Sequence, residues 1–338
     1  MCGVQVAKEV PGGERKVIMT STVSGNSEML HFGASMALSA DRTAEQARLM
    51  EELGFEYMGA GEHFMRGRPP GPTHAALPLL AVAAGATERM RLVSSVTLAP
   101  FYHPLMLARM TATLDIASGG RLTLGVGVGG EFPMEYENAG IDIRRRGRRT
   151  DECLDGLRRL WTEDSVTMRG RHYTLDEAAI NPKPTQQPHP PVWVAGRRDA
   201  AMRRAVRYGD GWLPYFYSPE RYRDSMAKIG EFAAEEGRDL SGFQWAFFPY
   251  ITLAATEEQA ARTAAESLGN QYLYGGEFIN IVRRYCLLGT PRTCIERLQE
   301  YIDAGARYIV FSIAAPREDR RRHLEVIAKD IVPHFRGR

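Results

Sequence analysis

Two short segments of this 338-residue sequence combine glycines with side chains that can move a proton. In the first, Gly59-Ala-Gly61 precedes Glu62 and His63, and in the second the run Gly125–Gly130 precedes Glu131. A histidine titrates close to neutral pH, which suits an acid or a base in catalysis. Neighbouring glycines allow the backbone to approach a flat ligand closely. The two segments therefore make His63 and Glu131 the candidate catalytic residues.

The run Gly125–Gly130 also matches the G-x-G-x-x-G fingerprint of dinucleotide-binding domains. That fingerprint requires a strand before it, a helix that opens at its last glycine and an acidic residue about twenty positions later. Arg121–Leu124 can form the strand, but Pro133 stands where the crossover helix should begin. The basic run Arg144–Arg149 occupies the position of the acidic residue. A nicotinamide-dependent dehydrogenase stays an alternative, and the glycines need another explanation.

A third segment, Gly196-Arg-Arg198, follows the apolar run Val192–Ala195 and precedes a predicted helix. The start of a helix offers free backbone N–H groups and the positive end of the helix dipole. Guanidinium groups bind phosphate through paired hydrogen bonds. We therefore expect Ala195, Gly196 and Arg197 to hold a phosphate group.

The composition argues against several classes of protein. The net charge is +2, from 43 basic and 41 acidic residues, which gives no electrostatic footprint for nucleic acid or a membrane surface. No segment approaches the roughly 18 apolar residues of a membrane span and no signal peptide is visible, so we expect a cytoplasmic protein. The four cysteines show neither metal-ligand spacing nor a disulfide framework, and no metal site is predicted. The basic run Arg144–Arg149 is expected to be a solvated helix start, paired with Asp151 and Glu152.

Strands and helices alternate along the chain from Leu30 onward. Most of the strands lack polar alternation, which is typical of parallel strands buried on both faces. The predicted strands are 32–38, 55–61, 91–97, 122–126, 192–195, 211–215, 243–253 and 308–313. Since helices separate them and the composition shows no break, an α/β fold with a (β/α)8 TIM barrel is the simplest architecture. An open doubly wound sheet is the structural alternative.

The predicted barrel is a single domain over residues 29–338, and the polar, aperiodic segment 1–28 is interpreted as a flexible leader. Two stretches interrupt the alternation and are predicted insertions: 164–190, which contains a hairpin and a proline-rich segment, and 269–288. Active sites of such barrels lie at the carboxyl ends of the strands. The three segments described above all follow predicted strands. We therefore expect them to face one cavity that suits a phosphorylated, planar cofactor.

The sequence resembles the luciferase-like flavin-dependent barrels, a family of reduced-FMN monooxygenases and deazaflavin (F420)-dependent oxidoreductases. The stretches that carry the resemblance are 45–63 (EQARLMEELGFEYMGAGEH), 114–130, 146–161, 182–211 and 288–302. The resemblance implies a flavin-type oxidoreductase with either reduced FMN or F420 as its cofactor. It also implies a homodimer formed through helices on one side of the barrel.

The resemblance assigns roles to individual residues. His63 corresponds to the histidine near the reactive edge of the cofactor ring, and Glu131 to an acid near the substrate in some F420 enzymes. A non-proline cis peptide is implied in the third strand and is placed at Ser95-Val96. The residues implied to bind the cofactor are Glu62, Ser95, Val96, Thr97, Gly127, Gly129, Gly130, Ala195, Gly196 and Arg197.

Two chemistries fit this resemblance. A reduced-FMN monooxygenase would receive its cofactor from a separate flavin reductase, because this chain has no room for an NAD(P)H-binding domain. An F420 enzyme would move a hydride between the cofactor and an organic substrate, with His63 or Glu131 as proton partner. Aromatic residues at predicted strand ends, such as Phe64 and Tyr215, favour an apolar or aromatic small-molecule substrate. A non-catalytic flavin-binding protein is the alternative outside the enzymes.

Overall fold

The computed structural model describes residues 29–35, 40–67, 69–269 and 278–336. The predicted leader, residues 1–28, lies outside these ranges, as does part of the second predicted insertion. The strands are β1 (His31–Ser35), β2 (Tyr57–Ala60), β3 (Arg91–Ser94), β4 (Thr97–Leu98), β5 (Leu122–Gly127), β6 (Val166–Arg169), β7 (Thr174–Ala178), β8 (Val192–Ala195), β9 (Gly211–Leu213), β10 (Gln244–Phe247), β11 (Tyr250–Leu253), β12 (Leu287–Gly289) and β13 (Tyr308–Ile313).

The α-helices are α1 (Thr43–Glu52), α2 (Ala76–Ala86), α3 (Pro104–Ala117), α4 (Pro133–Asn138), α5 (Arg146–Thr162), α6 (Asp199–Tyr208), α7 (Pro219–Glu235), α8 (Glu257–Gly269), α9 (Phe278–Tyr285), α10 (Pro291–Asp303), α11 (Arg320–Val326) and α12 (Val332–Arg336). Ser218 caps α7 by accepting the N–H of Arg221, and Thr290 caps α10 by accepting the N–H of Thr293. None of the helices in the described part of the chain is both long enough and apolar enough to span a bilayer.

The parallel strands close into a barrel. Their hydrogen-bonded order is β1-β2-β3-β5-β8-β9-β10-β13, and β13 pairs with β1 so that Phe32 lies opposite Ile309. The short strand β4 continues the direction of β3 and pairs with β5. This closure confirms the predicted (β/α)8 TIM barrel of the α/β class. It excludes the open doubly wound sheet, because such a sheet would have two unpaired edges.

Side chains fill the interior of the barrel. One buried cluster joins residues from six strands: Tyr57, Val93, Trp193, Leu213, Ala246 and Val310. A larger core packs the strands against helices such as α3 and α5. All six residues of β5 are buried, which explains why its sequence shows no polar alternation. Because the interior is packed, the space for a ligand lies at the carboxyl ends of the strands.

The structure corrects the sequence analysis at three places and confirms one detail. Pro133 does not exclude a helix but opens α4, because a proline in the first turn lacks only an N–H that would be unpaired there. The predicted strand 243–253 is two strands, β10 and β11, separated by Phe248-Pro249. Within the predicted insertion 269–288, Leu287 begins β12, which pairs with β11. The hairpin of the first insertion is confirmed as the antiparallel pair of β6 and β7.

Candidate active site

The predicted site residues follow four neighbouring strands of the barrel. His63 follows β2, Ser95 and Val96 lie between β3 and β4, Gly127 ends β5 and Ala195 ends β8. These four strand positions are hydrogen-bonded neighbours in that order. The structure therefore brings the predicted segments to one side of the barrel, at the carboxyl ends of its strands.

A non-proline cis peptide joins Ser95 to Val96, as predicted. The N–H of Ser95 donates to the carbonyl oxygen of Ala60 at 2.7 Å. The Ser95 hydroxyl lies 3.3 Å from the hydroxyl of Ser35. Thr97, two residues after Ser95, pairs with Val126 of β5. These contacts fix the segment between β3 and β4 against the ends of β1, β2 and β5.

Two of the glycines at these strand ends are required by packing within the protein. A Cβ on Gly127 would lie 2.6 Å from Cγ2 of Val96, and one on Gly61 would lie 2.9 Å from the carbonyl oxygen of Ser95. The segment between β3 and β4 thus explains both glycines without a ligand, and contact of Gly127 with a cofactor ring stays a prediction. Gly129-Gly130 has φ values of 59° and 114°, which favour glycine over other residues.

His63 is held by a buried carboxylate that the sequence analysis did not identify. Nδ1 of His63 lies 3.1 Å from Oε1 and 3.3 Å from Oε2 of Glu135. The same carboxylate accepts the N–H of Phe64 at 2.7 Å and the N–H of Met65 at 3.1 Å. The Glu135 side chain has no exposure to solvent, whereas 21% of the His63 side chain is exposed. Glu135 therefore fixes both the imidazole and the loop that carries it.

The pairing with Glu135 decides which imidazole nitrogen is available. A carboxylate only accepts hydrogen bonds, so the Nδ1 atom of His63 carries a proton. Within the described residues, no group forms a hydrogen bond with Nε2 of His63. Phe132 packs edge-on against the ring, with 5.0 Å between the ring centroids. His63 thus has the geometry of an acid–base residue that a carboxylate orients and whose second nitrogen can exchange a proton.

Glu135 was missed because it lies on α4, 72 positions after His63. The sequence analysis treated the segment after Glu131 as non-helical, so it assigned no direction to the side chains of that segment. The available signal was Pro133 itself, since proline and acidic residues are both favoured in the first turn of a helix.

Glu62 is buried, and its carboxylate is bonded to the protein. One oxygen accepts the N–H of Leu98 at 2.7 Å, and the other accepts the N–H of Ala76 at 3.1 Å and the hydroxyl of Tyr102 at 3.0 Å. Burial raises the pKa of Glu62, and the three hydrogen bonds offset part of that rise. Burial also raises the pKa of Tyr102, and the neighbouring carboxylate adds to this effect. Glu62 therefore links the ends of β2, β4 and α2, and its contact with a cofactor stays a prediction.

Glu131 and Arg197 share one aromatic partner. The hydroxyl of Tyr215 donates to Oε1 of Glu131 at 2.8 Å. The guanidinium of Arg197 lies over the same ring, 4.9 Å from its centroid, a position in which the π electrons attract a cation. Segments that follow β5, β8 and β9 thus meet at Tyr215. Two predicted site residues that are distant in sequence are brought together in this way.

The loop between β8 and α6 turns its carbonyl groups toward the protein. The carbonyl of Gly196 accepts the indole N–H of Trp212 at 2.8 Å, and that of Arg197 accepts a guanidinium N–H of Arg221 at 3.1 Å. Gly196 has a φ of 134°, which few other residues adopt. The helix α6 then begins at Asp199. The carboxylate of Asp199 accepts Nζ of Lys228 at 2.7 Å, and the phosphate site at the start of α6 stays a prediction.

Two buried polar atoms near the predicted cofactor residues have no hydrogen-bond partner in the described part of the chain: Oγ1 of Thr97 and Nε of Arg146. The Nε atom of Arg146 lies 2.9 Å from the place that a Cβ on Gly130 would occupy. A buried polar atom without a partner costs free energy, which a bound polar ligand would recover. The residues therefore fit a cofactor with polar groups. The described ranges contain no cluster of three or more side chains suited to a metal ion.

Known proteins resemble this chain over most of its length. A family model described as luciferase-like monooxygenase matches residues 18–308. The 4-hydroxyprotoasukamycin monooxygenase of Streptomyces nodosus subsp. asukaensis is 30% identical, with 90% of each chain covered. The F420-dependent glucose-6-phosphate dehydrogenase of Nocardia farcinica is 28% identical, with 86% of this chain and 93% of that protein covered.

Solved structures share the fold. An F420-dependent secondary alcohol dehydrogenase, in complex with an F420-acetone adduct, has a TM-score of 0.79 at 20% identity and covers 91% of this chain and 99% of its own. The monooxygenase RslO1 from Streptomyces bottropensis has a TM-score of 0.77 at 27% identity and covers 90% of this chain and 100% of its own. Since the family model spans well over half of the sequence, the chain belongs to the luciferase-like monooxygenase family.

Proposed function

We propose that this protein is a flavin-type oxidoreductase that binds F420 or reduced FMN at the carboxyl ends of β2, β3, β5 and β8, and that F420-dependent hydride transfer is its reaction. The pairing of His63 with Glu135 carries the proposal. Bound F420 supplies the hydride acceptor or donor. An alcohol or carbonyl substrate loses or gains a proton in the same reaction, so an acid or base must lie beside it. His63 provides Nε2 for that proton, and Glu135 holds the ring.

Different residues of the chain bind the ring and the phosphate group of the cofactor. Ser95, Val96 and Thr97 support the ring, and the unpartnered Oγ1 of Thr97 offers it a hydrogen bond. Gly127–Gly130 borders the ring on the β5 side. Ala195, Gly196 and Arg197 hold the phosphate at the start of α6, where carbonyl groups are already turned away. Glu62 acts from behind this layer by joining the ends of β2, β4 and α2.

A second acid favours hydride transfer over oxygenation. Glu131 lies on the segment after β5, and Tyr215 holds its carboxylate. Together with His63 it gives the site two groups that can exchange protons with a substrate. The Nocardia farcinica relative and the secondary alcohol dehydrogenase with the same fold are both named as F420-dependent dehydrogenases.

Monooxygenation with reduced FMN is the second candidate, and a specific similarity favours it. One relative that is 30% identical over 90% of the chain is named a monooxygenase. An aromatic wall beside His63 suits an apolar substrate, since Phe64 and Phe101 lie 4.8 Å apart between ring centroids. This version requires a separate flavin reductase as partner.

Anaerobic fluorescence titration with F420, FMN and reduced FMN distinguishes the two chemistries. We expect F420 to bind in the micromolar range, and both FMN forms to bind at least about tenfold more weakly, a difference of about 1.4 kcal/mol. Arg197→Ala should weaken binding of the preferred cofactor by about tenfold or more, because it removes a charge-assisted contact with phosphate. Arg48→Ala on α1 is the control, because Arg48 is exposed and lies outside the predicted site.

Each outcome of this titration has a definite meaning. Preference for reduced FMN would replace hydride transfer by the monooxygenase version. Binding of neither cofactor would contradict the proposal as a whole. Tight binding without turnover of any alcohol, carbonyl or unsaturated compound would favour the alternative, a non-catalytic flavin-binding protein.

We also propose that the protein is a homodimer that pairs through α2 and α3. Three large apolar side chains on these two helices are more than one-third exposed: Val82, Met106 and Ile116. The two helices are in contact with each other, and exposed apolar side chains on neighbouring helices are found on interaction surfaces. Light scattering should give the dimer mass for the natural protein and the monomer mass for Met106→Glu. A monomer mass for the natural protein would contradict this assignment.

The proposed compartment is the cytoplasm, and the proposed domain is a single barrel over residues 29–338. Cys153, Cys286 and Cys294 are buried free thiols, which agrees with a reducing compartment. The leader 1–28 stays a prediction that limited proteolysis can test.

A further inference from the structure

A groove of about 370 Å³ lies outside the candidate active site, between the start of α5 and the tip of the hairpin formed by β6 and β7, and four basic residues line it: Arg145, Arg148, Arg171 and His172. We propose that this groove, called here the basic groove, binds a small ligand that carries several phosphate or carboxylate groups. The proposal does not depend on the proposed function, because none of the four residues belongs to the predicted cofactor site.

The two acidic residues that were expected to pair with this basic run form hydrogen bonds with other groups. The sequence analysis predicted that the run Arg144–Arg149 pairs with Asp151 and Glu152, and this prediction is wrong. Asp151 accepts Nε of Arg204 at 2.5 Å. Glu152 accepts the backbone N–H groups of the hairpin tip at 2.8 to 3.3 Å. Neither carboxylate is therefore paired with a guanidinium group that lines the basic groove, and that of Glu152 lies against the backbone of Arg171 and His172.

A third acidic residue, Asp142, pairs with arginines at one edge of the groove. Asp142 lies 3.1 Å from Nε of Arg144 and 3.5 Å from Nε of Arg145. Within the described ranges, the side chains of Arg148 and Arg171 have no hydrogen bond, ion pair or ring contact. Guanidinium groups held close together without such ion pairs repel one another, and a bound anion would reduce that repulsion.

The two elements that form the basic groove are firmly positioned. Three hydrogen bonds from Glu152 anchor the backbone that carries Arg171 and His172. The hydroxyl of the next residue, Tyr173, donates to the carbonyl of Tyr102 at 2.8 Å. The guanidinium of Arg149 packs over the Tyr173 ring, 4.8 Å from its centroid. A ligand would therefore find the backbone of the groove already ordered, which lowers the entropic cost of binding.

The chemistry of the lining selects the class of ligand. Guanidinium groups bind phosphate and carboxylate with paired hydrogen bonds, and Arg145 and Arg148 also lie at the positive end of the α5 dipole. A volume of about 370 Å³ is at the lower end of the range for small-molecule sites and exceeds the space that a single inorganic ion needs. Several anionic groups on one small molecule are therefore the matching ligand.

Calorimetric titration of the full-length protein with pyrophosphate and with citrate tests this assignment. Chloride keeps the ionic strength constant, so that general screening does not mimic binding. We expect at least one of the two probes to bind in a one-to-one ratio. The double variant Arg148→Gln/Arg171→Gln should weaken that binding by about tenfold or more, because each substitution removes a charge-assisted hydrogen-bond donor. The control is Arg321→Gln/Arg322→Gln on α11, which should bind as the natural protein does.

The arms of the experiment also identify the anionic group. Tighter binding of pyrophosphate assigns the groove to phosphate groups, and tighter binding of citrate assigns it to carboxylate groups. Equal weakening in the control pair would show non-specific attraction and overturn the proposal. Unchanged binding in the Arg148/Arg171 double variant, or no binding of either probe to the natural protein, would also overturn it. Thermal melting of both double variants shows that the fold is intact, since all four arginines are exposed at the surface.

Discussion

Two buried carboxylates at the carboxyl end of the barrel are alike in most respects and differ in one partner. Glu62 and Glu135 each accept two backbone N–H groups and hold a loop in place. The remaining hydrogen bond of Glu62 comes from the hydroxyl of Tyr102, whereas that of Glu135 comes from the imidazole of His63. A phenol with a raised pKa does not exchange its proton near neutral pH, but an imidazole can. We therefore expect the same construction to be structural at Glu62 and to serve the proposed proton transfer at Glu135.

The comparison shows that residues adjacent in sequence can have different hydrogen-bond partners. Glu62 precedes His63, and the sequence analysis placed both at the cofactor. The structure turns the Glu62 carboxylate toward β4 and α2 and gives His63 a carboxylate from another segment. Successive residues at a strand end point in different directions, so neighbours in sequence need not share a site.

Among the variants that test this comparison, the one that removes the imidazole of His63 should have the largest effect on the reaction rate. His63→Ala should lower the single-turnover rate of cofactor oxidation or reduction by about 10²- to 10⁴-fold, because the acid–base group is lost. Cofactor affinity should change little, since the phosphate site is at α6. Stopped-flow absorbance measures the rate, and His334→Ala at the surface is the control. An equal loss of rate in both variants would contradict the assignment.

Glu135→Gln should have the next largest effect, a loss of about tenfold or more in the same rate. An amide cannot stabilise a charged imidazole as a carboxylate does, and it would leave His63 less firmly oriented. Glu62→Gln is the matched variant, since it makes the same chemical change in the similar buried setting. We expect it to reduce stability but to keep the rate per folded molecule close to that of the natural protein. Equal losses of rate in the two variants would remove the distinction.

Tyr102→Phe should lower the free energy of unfolding by about 1 to 3 kcal/mol, because Glu62 loses one donor. Tyr173→Phe serves as the control, since its hydroxyl donates to a backbone carbonyl instead of a carboxylate. Urea denaturation of both variants measures the difference. If Tyr102→Phe lost turnover at unchanged stability, Glu62 and Tyr102 would take part in the reaction, and their assignment to a structural role would be wrong.

The smallest effect concerns the pH dependence of stability. The pKa of Glu62 is raised in the folded state, so the folded protein holds this proton more tightly than the unfolded chain does. Its contribution to stability is therefore largest below the unfolded value of about 4.3, and it falls as the pH rises through the folded value. The free energy of unfolding of the natural protein should thus fall relative to that of Glu62→Gln between about pH 4 and pH 8. A difference that stays constant or rises over this interval would contradict the raised pKa.

Much of the fold could be predicted because its signals are local. The alternation of apolar runs and helices located all eight strand positions, and the strand-end rule selected His63 and Gly196. The cis peptide at Ser95-Val96 was implied only by the resemblance to the family. The segment Glu131–Asn138 was harder, because Pro133 both breaks and begins helices and only the surrounding structure decides between the two. The partners of Glu135, Asp151 and Glu152 depend on contacts between distant segments, which spacing along the chain does not reveal.

The most direct test of the central claim, that Glu135 orients His63 for proton transfer, is ¹⁵N NMR of the His63 imidazole. We expect the Nδ1 atom of His63 to carry a proton in the natural protein. We also expect Glu135→Gln to change the Nδ1 signal and Glu62→Gln to leave it unchanged. An Nδ1 atom without a proton in the natural protein, or the same response to both substitutions, would contradict the claim.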